Sequence, residues 1–271
     1  METLLLFLFV LAVLVLLLGF FFSSTRKKTT QAPAFPDEWR PVLQEQSVFY
    51  NELDPAARRQ FENRIQVFLQ TTRITGVNTT VEDLDRLLIA ASAIIPIFAF
   101  PDWQYINLNE VLLYPDSFNH DFEQSGSDRA VLGMVGDGAL NGVMVLSQHE
   151  LRQAFSNKTS KTNTAIHEFA HLVDKTDGSV DGIPEVLVKQ AYVLPWLQAM
   201  QKEIKKIRAD RSDINPYGGT SEVEFFAVAA EYFFERPDLM EKKNPELYRL
   251  LREIFLQQPA GSGDNKTDHS S

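Results

Sequence analysis

The chain has 271 residues, room for one sizeable hydrophobic core or two small ones, and a formal charge of −10. That charge argues against non-specific nucleic-acid binding, and no nucleic-acid partner is expected. With no cysteine in the chain, disulfides and thiolate metal sites are excluded, so any metal must be held by His, Asp or Glu.

Residues Leu4 to Phe22 form an apolar run rich in Leu, Val and Phe. At ~1.5 Å per residue it is about 28 Å long, close to the hydrocarbon thickness of a bilayer. No Lys or Arg precedes it, and Gly19-Phe20-Phe21-Phe22 lacks a small-x-small cleavage site, so it reads as an anchor rather than a signal peptide. Arg26, Lys27 and Lys28 follow it, which places the C-terminal side in the cytoplasm. The expected organisation is an anchor and basic flank at 1–28, meeting lipid through 4–22 at the cytoplasmic (inner) membrane. A linker at 29–38, a globular domain at 39–258 and a disordered tail at 259–271 follow.

Asp54-Pro55 predicts a helix start, with Phe61, Ile65, Phe68 and Leu69 as its buried stripe. A second helix is expected from about Thr80, acidic in its first turn, and stopped or kinked near Pro96. Three short strands follow at 111–115, 130–135 and 142–147, with a hairpin signal at 137–142. The last strand is a candidate edge for holding extended substrate. His149 falls in a capping-box pattern and is read as a helix start, not a ligand. A long helix is expected from about Pro184 to Asp210. The pattern as a whole predicts an α+β fold, mainly helical, with a small β-sheet, preceded by one transmembrane helix.

Chemistry concentrates in Thr164-Ala165-Ile166-His167-Glu168-Phe169-Ala170-His171-Leu172-Val173. On a helix running from about Thr162 to Val173, His167 and His171 share a face one turn apart, where both can reach one ion. Glu168 lies about 100° further round, placed to meet water at the metal without being a ligand. Asp174, three residues after His171, is either an outer hydrogen-bond partner or an exposed helix-end carboxylate. Only five histidines exist, so a third ligand is sought among carboxylates. Glu224 and Glu231 lie seven residues apart in an otherwise apolar helix, on one face to within about 20°. Helical periodicity leaves the choice between them open. The other one either orients a ligand histidine or pairs with a cation such as Arg236.

The segments His167–Asp174, Glu224–Phe234 and Trp103…Val111–Pro115 together resemble the Mlc titration factor A family of bacterial zinc peptidases. The likeness spans roughly Trp39 to Gln258. It implies a zincin-like metallopeptidase domain with a gluzincin layout similar to that of anthrax lethal factor. The resemblance selects Glu224 as the third Zn²⁺ ligand beside His167 and His171, with Glu168 as general base and Tyr217 as a catalytic hydrogen-bond donor. It implies a peptide or protein substrate. The family's link to a sugar-responsive repressor is not carried over, because no binding surface of this chain can be matched to it, and a regulatory protein partner is left unknown. A regulator-binding protein with structural zinc and a non-peptide zinc hydrolase are the alternatives.

Overall fold

A computed structural model describes residues 34–117, 133–135, 141–184 and 187–256. Ten helices are described: α1 Trp39–Gln46, α2 Val48–Glu52, α3 Pro55–Thr71, α4 Asp83–Ile97, α5 Gln148–Ser156, α6 Thr164–Asp174, α7 Gln190–Arg208, α8 Glu222–Glu235, α9 Pro237–Lys243 and α10 Pro245–Phe255. The four described strands are β1 Arg73–Gly76, β2 Glu110–Tyr114, β3 Gly133–Val135 and β4 Val143–Ser147. The domain is therefore mainly helical α+β.

Local chemistry sets the helix starts. The Asp54 side chain accepts from the Ala56 and Ala57 N–H groups, with Pro55 in the first helical position. In α4, Glu82 and Asp85 form a reciprocal capping box. The start thus lies at Asp83, later than Thr80, and Pro96 falls in the last turn. Asp85 also accepts from Gln148 and from two nitrogens of Arg152. That fully buried carboxylate fastens α4 to α5. Helix α7 begins at Gln190 rather than near Pro184, because the Leu187 and Val188 N–H groups turn back to the Pro184 carbonyl.

The sheet order is β1-β2-β4-β3, with β1, β2 and β4 parallel and β3 antiparallel to β4. Strand β1 is absent from the sequence reading, since Arg73-Ile74-Thr75-Gly76 has one buried side chain and no apolar run. The pairing of β3 with β4 matches the hairpin signal, although 130–132 and 136–140 lie outside the described residues. Strand β4 is a correction. It is flanked by β2 and β3, so it is interior and presents no open edge.

Helices α4, α6 and α8 carry much of the core. Leu87, Ile94, Ile166, Phe169, Phe225, Phe226 and Phe233 are buried together in one cluster. Phe169 packs on Phe68 and Tyr105 at 5.8 and 5.0 Å between ring centroids, which holds α6 from behind. Among the described residues no helix is long and apolar enough to cross a membrane. The run at 4–22, the linker up to residue 33 and the tail at 259–271 lie outside them.

Candidate metal centre

Helix α6 is uninterrupted by Pro or Gly and is capped by Asn163, whose side chain accepts from the Ile166 N–H. The helical spacing brings His167 and His171 edge to face, with centroids 4.7 Å apart. Their Nε2 atoms lie 3.1 Å from each other. Helix α8 supplies the third group. The Ser221 side chain accepts from the Glu224 N–H and so places Glu224 in the first turn. Its Oε2 is 3.0 Å from His167 Nε2 and 3.4 Å from His171 Nε2.

These three atoms fit a metal. Ligands at ~2.05 Å from a tetrahedral zinc lie about 3.3 Å apart, the scale of the three spacings found. Two imidazole nitrogens and a carboxylate oxygen, each able to act as a metal ligand, converge here. Among the described residues, His167, His171 and Glu224 are the group able to hold a metal ion. Burial opposes the charge on His167, yet hydrogen bonds and negative charge from Glu224 and Glu231 outweigh it and push its pKa up to about 10. Burial alone would raise the Glu224 pKa, but the two histidines hold it well below the usual carboxylate range. Both shifts come from the mutual attraction of the histidines and the glutamates around them.

Glu231 lies outside the group of His167, His171 and Glu224. Its Oε1 accepts from His167 Nδ1 at 2.6 Å, and its Oε2 accepts from the Asn163 backbone N–H at 2.6 Å. It thereby holds the ring of His167 with Nε2 directed to Glu224 and His171. Arg236, the other partner considered for it, instead approaches Asp238 at 3.6 Å and donates to the Thr159 carbonyl.

Glu168 is buried, and burial raises its pKa ahead of the opposing effect of His167 and His171. Strand β3 lies directly on it. A Cβ on Gly133 would come within 2.8 Å of Glu168 Oε1 and 2.7 Å of Thr164 Cγ2, so only glycine lets the strand approach. Tyr217 sits in a 3₁₀ turn at Pro216–Gly219, where Asn215 Oδ1 accepts its N–H. Its ring centroid lies 6.0 Å from that of His167, and the side chain is 52% exposed. Burial and the charge of Glu224 raise its pKa, so its hydroxyl keeps its proton as a donor.

Asp174 is fully buried, which overturns the exposed reading. Its Oδ2 accepts from the Gly182 N–H at 2.9 Å, not from His171. Gly182 has φ +79°, and a Cβ there would fall 2.4 Å from the Glu222 carbonyl oxygen. The loop after α6 is thus pressed against the first turn of α8, two residues from Glu224. His149 lies at the start of α5, outside the metal group, as expected.

The sequence reading assigned no role at the site to Asn163, Gly133, Gly182 or Glu235. An Asn directly before the motif helix was a legible cap signal; the glycines had none, because their close approaches are tertiary. Glu235 Oε1 accepts from Asn163 Nδ2 at 2.8 Å. Burial, opposed by that hydrogen bond and reinforced by Glu231, pushes its carboxyl up to about 7 from 4.5. The folded state therefore holds this proton more tightly, and stability falls as pH rises between about 4.5 and 7. Glu235→Gln keeps the acceptor for Asn163, so melting temperature against pH should be flatter over that window and higher above it. A wild-type slope in calorimetry refutes this assignment.

The comparisons agree with the geometry. A family profile described as glucose-regulated metallo-peptidase M90 matches residues 21–256. The chain belongs to that metallo-peptidase family. Among its relatives is "Uncharacterized protein slr2042" of Synechocystis sp., 30% identical over 248 residues, covering 86% of this chain and 88% of the relative. "Mlc titration factor A" of Pectobacterium atrosepticum is 29% identical over 207 residues, covering 71% and 76%. The protein of the same name from Escherichia fergusonii is 29% identical over 209 residues, again covering 71% and 76%. The resemblance read from the two motif blocks is thus borne out over most of the chain.

Proposed function

We propose that the chain is a zinc-dependent peptidase whose ligands are His167, His171 and Glu224. The observation that carries this reading is the convergence of three ligand atoms at 3.0 to 3.4 Å with Glu168 on the same helix. A zinc ion held there supplies a Lewis acid that polarises a carbonyl and makes water acidic near neutral pH. The buried Glu168 takes the proton of the attacking water and passes it to the leaving amine, a role its raised pKa suits. Tyr217 donates its hydroxyl hydrogen bond to the oxygen on which charge develops. Glu231 holds His167 in orientation throughout.

An extended peptide is accommodated by β3. Among the described strands β3 pairs only with β4, and its Gly133 lies against Glu168. Strand addition to this edge would bring a scissile carbonyl to the metal side of the helix. The reading is tested by metal analysis of the purified chain: about one zinc per chain is expected, with proteolysis lost on chelation and regained on zinc addition. Undiminished cleavage of peptides by chelated protein sinks it.

The apolar run at 4–22 with its basic flank supports an inner-membrane anchor with the peptidase in the cytoplasm. Protease added to intact spheroplasts should leave the domain undigested; digestion excludes this orientation. Relatives that carry the name Mlc titration factor A favour a second reading, capture of a regulatory protein with the metal in a structural role. Stoichiometric metal with retained capture and no cleavage of any peptide would select it.

A further inference from the structure

A cavity of about 110 Å³ lies between the C-terminal half of α3, the end of α4 and the 101–105 loop. Two of its wall residues, Phe68 and Tyr105, are the rings packed on Phe169, the residue after Glu168. Val67, Ile94 and Trp103 continue the apolar wall. One cation borders it, Arg64.

The position of Arg64 is fixed but its charge is not neutralised. Nη1 donates to the Ile97 and Phe98 carbonyls at 2.7 and 3.0 Å, and Nη2 to the Trp103 carbonyl at 3.2 Å. Carbonyls satisfy donors without supplying a counter-charge. Among the described residues no carboxylate forms an ion pair with Arg64, and its Nε–H has no acceptor. The groups that act on it from a distance are the Tyr105 phenol, which burial keeps protonated, and exposed Asp102. Burial pushes the guanidinium pKa below its ordinary value, the signature of a charge lacking a close partner. A preoriented guanidinium at an apolar cavity has charge and fork geometry complementary to a carboxylate.

We propose that this cavity binds a small monocarboxylate, with its apolar tail among Val67, Ile94 and Trp103 and its carboxylate on Arg64. Size limits the tail. A cavity of about 150 Å³ admits benzene, so one of this volume takes an aliphatic tail of about three or four carbons. The site is separate from the metal group, and its occupancy does not depend on the peptidase reading.

Butyrate and its neutral isostere butyramide are the probes, titrated into the full chain by calorimetry and ligand-observed NMR. Butyrate should bind saturably and about tenfold or more tightly than the amide, the margin of a charge-assisted hydrogen bond. Arg64→Gln should abolish that preference, and Val67→Trp, which fills the cavity, should abolish binding of both probes. Equal binding of acid and amide in the wild type, or no saturable butyrate binding, overturns the proposal without recourse to any variant. So does butyrate binding that survives Val67→Trp, because it then sits elsewhere, for example at the metal centre.

Discussion

Glu168→Gln should lower peptide hydrolysis by ~10² to 10⁴-fold while leaving metal content unchanged. The substitution keeps the size of a side chain packed under Gly133 and removes only its ability to accept a proton. That loss is roughly 3 to 5 kcal/mol of transition-state stabilisation. The expected change is in kcat with little change in KM, since the proposed role of Glu168 is proton transfer in the reaction step and not substrate binding. Initial-rate kinetics with metal analysis on the same preparation provide the check. Turnover at the wild-type rate would remove Glu168 from the role of base, and loss of metal would make it a ligand instead.

Glu224→Ala and Glu231→Ala should separate two carboxylates that look alike in the sequence. Removing Glu224 deletes one corner of the ligand triangle, so the protein should emerge from dialysis without metal and without activity. Removing Glu231 leaves all three ligands but frees the His167 ring, and metal affinity should fall by about 10- to 100-fold. The second variant also leaves a buried Nδ1–H and the Asn163 N–H without their acceptor, at a cost of about 1 to 3 kcal/mol each in stability. Glu231→Ala should therefore lower the melting temperature of the metal-free protein more than Glu224→Ala does. Metal competition with a chromogenic chelator, alongside melting of both apo variants, decides the pair. The reverse order of metal loss would exchange the two roles.

Much of this site is local and therefore legible in one dimension. His167 and His171 meet because a helix repeats every 3.6 residues, and no tertiary contact is needed to bring them together. The caps at Asp54 and Ser221 follow from short-range hydrogen bonding, and both are present. The absence of cysteine and scarcity of histidine made a carboxylate the expected third ligand. Seven-residue spacing then put Glu224 and Glu231 on one face.

What lay beyond the sequence depends on how elements approach one another. Glu224 and Glu231 are 57 and 64 residues from His167 in the chain, and periodicity cannot say which ring nitrogen each one meets. The family likeness selected Glu224; the packing of α8 on α6 puts it at Nε2 and Glu231 at Nδ1. In the same way, a short apolar run bounded by turn formers marked 142–147 as a strand but could not show that β2 and β3 cover both its sides. Gly133 gave no signal at all, because what it avoids is a side chain on another element. The sequence by itself determined the chemical types and their local spacing. Only the tertiary structure decided which strand faces Glu168 and which nitrogen of His167 each glutamate meets, because long-range approach is set by side-chain packing between elements and leaves no period in the chain.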